Sequence, residues 1–431
     1  MKHFGWHILA ILSGLPFLLW LFGSPINYKL YSMPLIARGV GDVLGLCGFA
    51  MFALVIILSA RLRVFEKFFK GINESYTAHH IFGGLALCLL LFHPLFLAFN
   101  FIAVSYTSAA LFLLPSLDNL PKSFGIAGLA IMILALIITF YTKLKYQVWK
   151  FTHKFMGLAF LFAFFHVFLA GSNVAQNQWL KIYLLVLSFG AFAAYFYRVF
   201  YIDILPKGYK YVFQEIKEDK DKIWEITLKP QNREIKFAPG QFGFVKILSK
   251  NISREIHPFS FSSANGNPLK IAIKELGDYT NKMGSVGAGD LAFVEGPYGA
   301  FNFKNHKNKN QIWIAGGVGI APFLSMLRSL YENNPDYKID LYYSAKSREL
   351  FAFKEEIEKI TENNKNFRVI FWATDQSGFL TANLVKDKTE NLFEKDILIC
   401  GPKPMMDSLK SQFVGFGVSE KKIHTEDFQL Y

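Results

Sequence analysis

The chain has 431 residues, 52% of them hydrophobic, with 46 basic and 33 acidic residues and a net charge of +13. That length allows two or more domains, and that apolar content is too high for an ordinary soluble protein of this size, so part of the chain belongs in lipid. The basic excess largely flanks apolar runs and comes with no nucleic-acid motif, and the three cysteines, Cys47, Cys88 and Cys400, are too few for a disulfide framework.

Apolar residues concentrate before about residue 205. Six runs of roughly twenty residues recur there, each long enough to cross a ~30 Å hydrocarbon core, which predicts membrane helices over 4–22, 40–60, 79–104, 124–141, 151–171 and 179–200. The first run competes with a signal peptide, but it lacks a small-residue cleavage site and is long for one. Arg61, Arg63, Lys67 and Lys70 lie between the second and third runs, Lys143, Lys145 and Lys150 between the fourth and fifth, and Arg198, Lys207 and Lys210 after the sixth. Lys and Arg favour the cytoplasmic side, which predicts that both termini are cytoplasmic.

Ligating side chains are costly inside a membrane and need a partner or a task. His79 and His93 fall in the third run, His153 and His166 in the fifth, one near each helix start and one deeper. With the helices side by side, His79 faces His153 and His93 faces His166, and each pair can bind a haem iron axially. The layers are about 20 Å apart along the helix at ~1.5 Å per residue. The spacing of fourteen in the third run returns to nearly the same face. The spacing of thirteen in the fifth run misses by about 140° and calls for a bulge or distortion, with Gly157 as one place for it. Gly83 and Gly157, one turn beyond His79 and His153, leave room for a flat macrocycle or serve helix packing. His80 is a rival to His79.

From about residue 209 the pattern becomes short β-branched and aromatic runs, at 223–228, 242–247 and 271–274. Within this β-rich unit, Arg254 precedes His257-Pro258-Phe259-Ser260, a stretch able to hold a flavin ring while the cation meets a pyrophosphate. Lys274, Gly277, Tyr279 and Thr280 then lead into a helix start that favours phosphate, and a turn at Gly296-Pro297-Tyr298-Gly299 closes the unit. From about residue 311 strands and helices alternate, which reads as a parallel α/β sheet. Gly316, Gly317, Gly319 and Pro322 follow an apolar strand and open a helix, a nucleotide-phosphate context, while Cys400-Gly401-Pro402 ends a later strand at the edge where ligands bind.

With these motifs the chain resembles, nearly end to end, the ferric reductase and NADPH oxidase superfamily. The membrane histidines match its haem-ligand pattern, His-Pro-Phe-Ser its flavin motif, 316–322 its nicotinamide-site glycine loop and Cys400-Gly401-Pro402 its Cys-Gly-Pro motif. The resemblance implies a six-helix membrane bundle over 1–206, an FAD-binding β-barrel over 207–305 and an NAD(P)H-binding α/β domain over 306–431. It assigns His257, Phe259 and Ser260 to FAD, Thr280 to its pyrophosphate and Cys400 to the nicotinamide. Ser344, Lys346 and Arg348 take the adenosine 2′-phosphate, favouring NADPH over NADH, or form an exposed basic turn. Glu426 with Phe428 resembles the Glu-x-aromatic ending whose ring covers the flavin, and Tyr431 competes with Phe428 for that role.

The implied activity is hydride transfer from NAD(P)H to FAD, then single-electron transfer through two b-type haems to an acceptor across the membrane. That acceptor is oxygen, yielding superoxide, or ferric iron; a protein acceptor is a third expectation, and the setting is a cell membrane. A haem-free channel or transporter with a nucleotide-sensing domain is the reading from a different class, its histidines lining a proton path.

Overall fold

The computed structural model describes residues 4–23, 32–69, 71–102, 104–141, 144, 146–171, 173–202, 208–265, 268–306, 308–333 and 336–426. It divides into two compact units, Met1–Leu205 and Pro206–Tyr431.

The first unit carries six helices long and apolar enough to cross a membrane, Phe4–Phe22, Met33–Leu58, Ile72–Ile102, Leu120–Tyr141, Gln147–Leu169 and Gln178–Phe200, here helices one to six. Helices two and three begin about seven residues earlier than hydropathy predicts. Ser32 and Pro34 start helix two as N-cap and first-turn proline, and helix three opens on Asn73, Glu74 and Ser75, which a hydropathy window discards although a helix accepts them. Helix two is the most enclosed; its Phe49 stacks on Phe160 of helix five at 5.2 Å. Helices three to five leave Leu85, Phe92, Phe99, Leu134 and Leu169 uncovered. Uncovered apolar side chains on helices whose backbone bonds are internally satisfied are what lipid requires.

Helix five is broken. Residues Tyr146–His153 and Met156–Leu169 form separate α-helical stretches, joined by i→i+3 backbone bonds from Lys154 to Phe151, Phe155 to Thr152 and Gly157 to Lys154. A 3₁₀ turn advances about 120° per residue instead of 100°, so a few such residues remove roughly half of the 140° misfit between His153 and His166.

In the second unit β1 (Tyr209–Glu218), β2 (Ile223–Pro230), β3 (Phe242–Leu248), β4 (Ile256–Ser260), β5 (Leu269–Lys274) and β6 (Leu291–Tyr298) form one antiparallel sheet in the order β4-β3-β6-β1-β2-β5. A bridge between Phe261 and Ile271 joins its two edges into a barrel. Gly296, Pro297 and Tyr298 end β6 instead of forming a turn, because Tyr298 pairs with Phe242 of β3.

Strands β7 (Asn310–Gly316), β8 (Lys338–Ala345), β9 (Phe367–Ala373), β10 (Asp396–Cys400) and β11 (Ile423–Glu426) form a parallel sheet in the order β11-β10-β7-β8-β9. Along β7, Ile312 and Ile314 pack with Leu409 and Phe413 on one face, while Trp313 and Ala315 pack with Phe323 and Leu327 on the other. A strand buried on both faces reads as a continuous apolar run, as this one does. The chain steps outward from β7 to β9 and then crosses to β10, so the strand order switches between β7 and β10, the place where open α/β sheets bind ligands.

Candidate functional site

In the membrane unit the two histidine layers assemble. The imidazoles of His79 and His153 have centroids 6.4 Å apart, and those of His93 and His166 are 6.1 Å apart. Two imidazoles sharing one metal sit at about 6 Å, from ~2 Å metal–nitrogen bonds on both sides and roughly 1 Å more to each ring centre. His80 is exposed and meets the edge of the His79 ring, outside the facing pair.

Three of the four rings are oriented by backbone carbonyls. The Nδ1 of His79 donates to Val55 O (3.0 Å), that of His93 to Gly41 O (2.7 Å) and that of His166 to Pro121 O (2.8 Å). A carbonyl only accepts, so Nδ1 carries the proton and Nε2 keeps its lone pair for a metal, the second-shell arrangement of ligating histidines. The residues present therefore fit bis-imidazole haem.

The glycines that make room for these rings are on neighbouring helices. A Cβ on Gly45 would lie 2.6 Å from His93 Nδ1, and one on Gly125 would lie 2.9 Å from His166 Cγ. Gly157 instead receives Tyr195, whose ring would be 2.2 Å from an added Cβ, so it is a packing residue; at Gly83 the nearest atom is an ordinary 3.7 Å away.

In the second unit the carboxyl edge of the parallel sheet gathers residues remote in sequence. Register pairs Ser344 with Gly316, Ala315 with Cys400, and Cys400 with Glu426. A Cβ on Gly319 would lie 2.3 Å from the Cys400 carbonyl oxygen, so only glycine lets the loop lie against β10. Gly317 takes φ +54°, Pro322 sits in the first turn of helix Ile320–Asn333, and Gly401 and Pro402 lead into helix Lys403–Gly415. Cys400 is buried. Glu426 is buried, and a Cβ on Gly299 at the end of the barrel would be 3.5 Å from its Oε1. Phe428 and Tyr431 lie outside the described residues.

On the barrel, Arg254 is exposed before β4, His257 and Pro258 are half-buried, and Phe259 and Ser260 are buried. His257 Nε2 lies 2.9 Å from Glu255 Oε2 and its ring stacks on Tyr279 at 4.1 Å. Lys274 ends β5 in an ion pair with Asp221, beside Gly317, whose added Cβ would be 3.9 Å from Lys274 Nζ; flavin and nucleotide candidates thus converge. The expected phosphate-binding helix start is a correction. Thr280–Ser285 is a short 3₁₀ turn, and Thr280 Oγ1 accepts from the Leu276 and Gly277 amides (2.9 and 3.2 Å), so those amides are already bonded. Lys346 and Arg348 are exposed beside buried Ser344. Next to them the Glu349 carboxyl is held below its ordinary value by the Ser347 hydroxyl and its own backbone amide.

Sequence reasoning missed a clamp on the flavin stretch. Arg328 of helix Ile320–Asn333 donates to Glu225 Oε1 (2.7 Å), to Glu356 Oε1 and Oε2 (both 2.6 Å) and to Ser262 O (2.9 Å), and Ser325 donates to Ser263 O (2.6 Å). Burial pushes the Glu225 carboxyl up, but the hydrogen bond and charge of Arg328, with Lys270, hold it below the usual value. A single arginine on an amphipathic helix carries no signal of this.

Known proteins fall in line with this geometry. Residues 44–164 match the model of a ferric reductase like transmembrane component, 211–316 that of an FAD-binding domain and 313–411 that of an oxidoreductase NAD-binding domain. Among curated relatives, NADH-cytochrome b5 reductase 1 of Kluyveromyces lactis is 28% identical over 188 residues, 41% of this chain and 67% of that protein. A flavohemoprotein of Rhizobium meliloti is 26% identical over 243 residues, 51% of this chain and 60% of the relative. Much of each relative's length is therefore unmatched. Among solved structures, the FAD/NAD-binding domain of nitric oxide dioxygenase from Vibrio cholerae aligns at TM-score 0.46 and 21% identity, over 51% of this chain and 98% of that one. The chain therefore carries, in one polypeptide, a ferric-reductase-like transmembrane domain, an FAD-binding domain and an NAD-binding domain, a set that matches a ferric reductase/NADPH oxidase-type fusion.

Proposed function

We propose that the chain takes reducing equivalents from NADPH at the cytoplasmic face and delivers electrons singly, through FAD and two b-type haems, to an acceptor on the outer face. The observation that carries this reading is the two pairs of facing imidazoles, 6.4 and 6.1 Å apart, on helices long and apolar enough to cross a membrane. When bound, FAD supplies hydride acceptance with one-electron release, and haem supplies one-electron carriage through the bilayer.

The protein's part is orientation and exclusion of water. His79 with His153, and His93 with His166, would hold the haem irons through their imidazole nitrogens, and the carbonyls of Val55, Gly41 and Pro121 fix the tautomer of His79, His93 and His166. His257, Pro258, Phe259 and Ser260 hold the isoalloxazine, with Arg254, Lys274 and the Thr280 hydroxyl toward the pyrophosphate and Gly277 shaping the turn that carries Thr280. The loop from Gly316 to Pro322 takes the nicotinamide nucleotide's phosphates, and Cys400, Gly401 and Pro402 flank its nicotinamide. Ser344 and Arg348 meet a 2′-phosphate, and Glu426 and Phe428 cover the flavin face until nicotinamide displaces the ring.

The connection before helix four carries only Asp118 and Lys122 as charges between Tyr106 and Lys122. That favours a small neutral acceptor, oxygen, over an anionic ferric chelate. An anaerobic absorbance spectrum of detergent-purified, FAD-loaded protein before and after NADPH tests the route. The expected result is b-type haem bands that become reduced, with roughly half the haem lost in His166→Ala, since each of the two layers holds one group. Protein from haem-replete cells that carries no haem sinks the reading. Dye reduction in air that superoxide dismutase leaves unchanged removes oxygen as acceptor.

A further inference from the structure

The nucleotide edge of the parallel sheet accounts for the chemistry assigned so far; the opposite, amino edge holds a second cluster. Asp396 opens β10, His424 is the second residue of β11, and His306 follows the 3₁₀ turn Phe303–Asn305 that leads from the barrel into β7. One donor atom from each of the three lies within 4.8 Å of the others. The imidazoles of His306 and His424 stack with centroids 3.7 Å apart and planes 27° from parallel. His424 Nε2 is 3.4 Å from Asp396 Oδ1, too long for a strong hydrogen bond. His306 Nε2 is buried and has no hydrogen-bond partner among the described residues.

We propose that His306, Asp396 and His424 form a site for a zinc-class divalent ion that ties the strap entering the α/β half to the C-terminal strand. The stack leaves the buried His306 Nε2 without a partner among the described residues, and turning that ring out of the stack would aim its lone pair, with the donors of His424 and Asp396, at one ion. Protonating both stacked rings would place like charges in contact. Two imidazole nitrogens and one carboxylate oxygen with a fourth position open to water is a recurrent zinc donor set. With metal–ligand bonds of ~2.0–2.2 Å tetrahedral donors sit about 3.4 Å apart, so binding requires the longest separation to close by up to about 1.4 Å through rotation of the partly exposed His306 ring and the carboxylate.

The role is structural. Asp396 and Cys400 stand at opposite ends of β10, about 13 Å apart at ~3.3 Å per residue, so the ion stays away from the nicotinamide. It lies two residues before Glu426 on β11, and occupancy holds that strand and the incoming strap together. Binding energy available only to the folded state then adds to stability.

The test uses untagged, full-length, FAD-loaded protein in detergent, stripped with chelator, equilibrated with Zn2+ and desalted, with zinc measured by atomic emission separately from haem iron. The expected result is about one zinc per chain in the wild type and little in His306→Ala or Asp396→Asn. Zn2+ should raise the unfolding midpoint of the wild type only. NADPH-dependent dye reduction reports that the variants are folded, since neither residue belongs to the redox site. A wild type that retains no more zinc than the variants overturns the proposal, as does zinc held equally by all three.

Discussion

Arg328 has its guanidinium on two carboxylates and a backbone carbonyl, and through Glu225 and Ser262 it fixes the stretch after His-Pro-Phe-Ser. Losing the Glu225 charge leaves Arg328 with Glu356 as its carboxylate partner, so the cost is less than the roughly 3–5 kcal/mol of a fully stranded buried charge. Glu225→Gln should therefore lower the midpoint of thermal unfolding, read by flavin release, at neutral pH. Because the folded pKa of Glu225 lies below its ordinary 4.5, its contribution is complete above that value and lost as pH falls through the folded pKa. The gap between wild type and Glu225→Gln should narrow as pH falls below the ordinary carboxyl value; a gap that acidification never narrows contradicts the assignment. Arginine in a soluble helix is too common to mark such a role in sequence, whereas His79, His93, His153 and His166 were legible because lipid makes any such side chain expensive.

Two connecting elements decide the site geometry. The 3₁₀ break between His153 and Met156 turns an awkward thirteen-residue spacing into facing imidazoles. The need for a distortion followed from helical periodicity, and the break takes in the amide of Gly157, the place the sequence offered, although the open side of that glycine is filled by Tyr195. The loop from Gly316 to Pro322 is the second such element. Gly319→Ala drives a methyl group into the Cys400 carbonyl, which sits in β10 and cannot swing away. We expect a loss of about 1–3 kcal/mol, seen as a lower unfolding midpoint and a raised KM for NADPH in dye reduction, with haem content unchanged. Normal NADPH kinetics in that variant would argue against close contact of this loop with β10.

The chain divides at Leu205 and Pro206 into two compact units, and every flavin and nucleotide candidate lies in the second. Expressed alone with FAD, residues 206–431 should oxidise NADPH with an artificial dye at a rate comparable to the full chain, while lacking any haem band. Failure despite bound FAD would mean that hydride transfer requires the membrane unit. The sequence by itself determined the six membrane spans, the change to β and then α/β structure, and the histidine and glycine motifs. Each of these is written in local periodicity, residue cost in lipid or turn chemistry, and none needs a distant partner. Tertiary structure alone decided the backbone carbonyls that orient the histidines, the row formed by Ser344, Gly316, Cys400 and Glu426, the Arg328 clamp, and the meeting of His306, Asp396 and His424. These depend on pairings between residues far apart in the chain, and a single sequence carries no record of which distant side chains will share a neighbourhood.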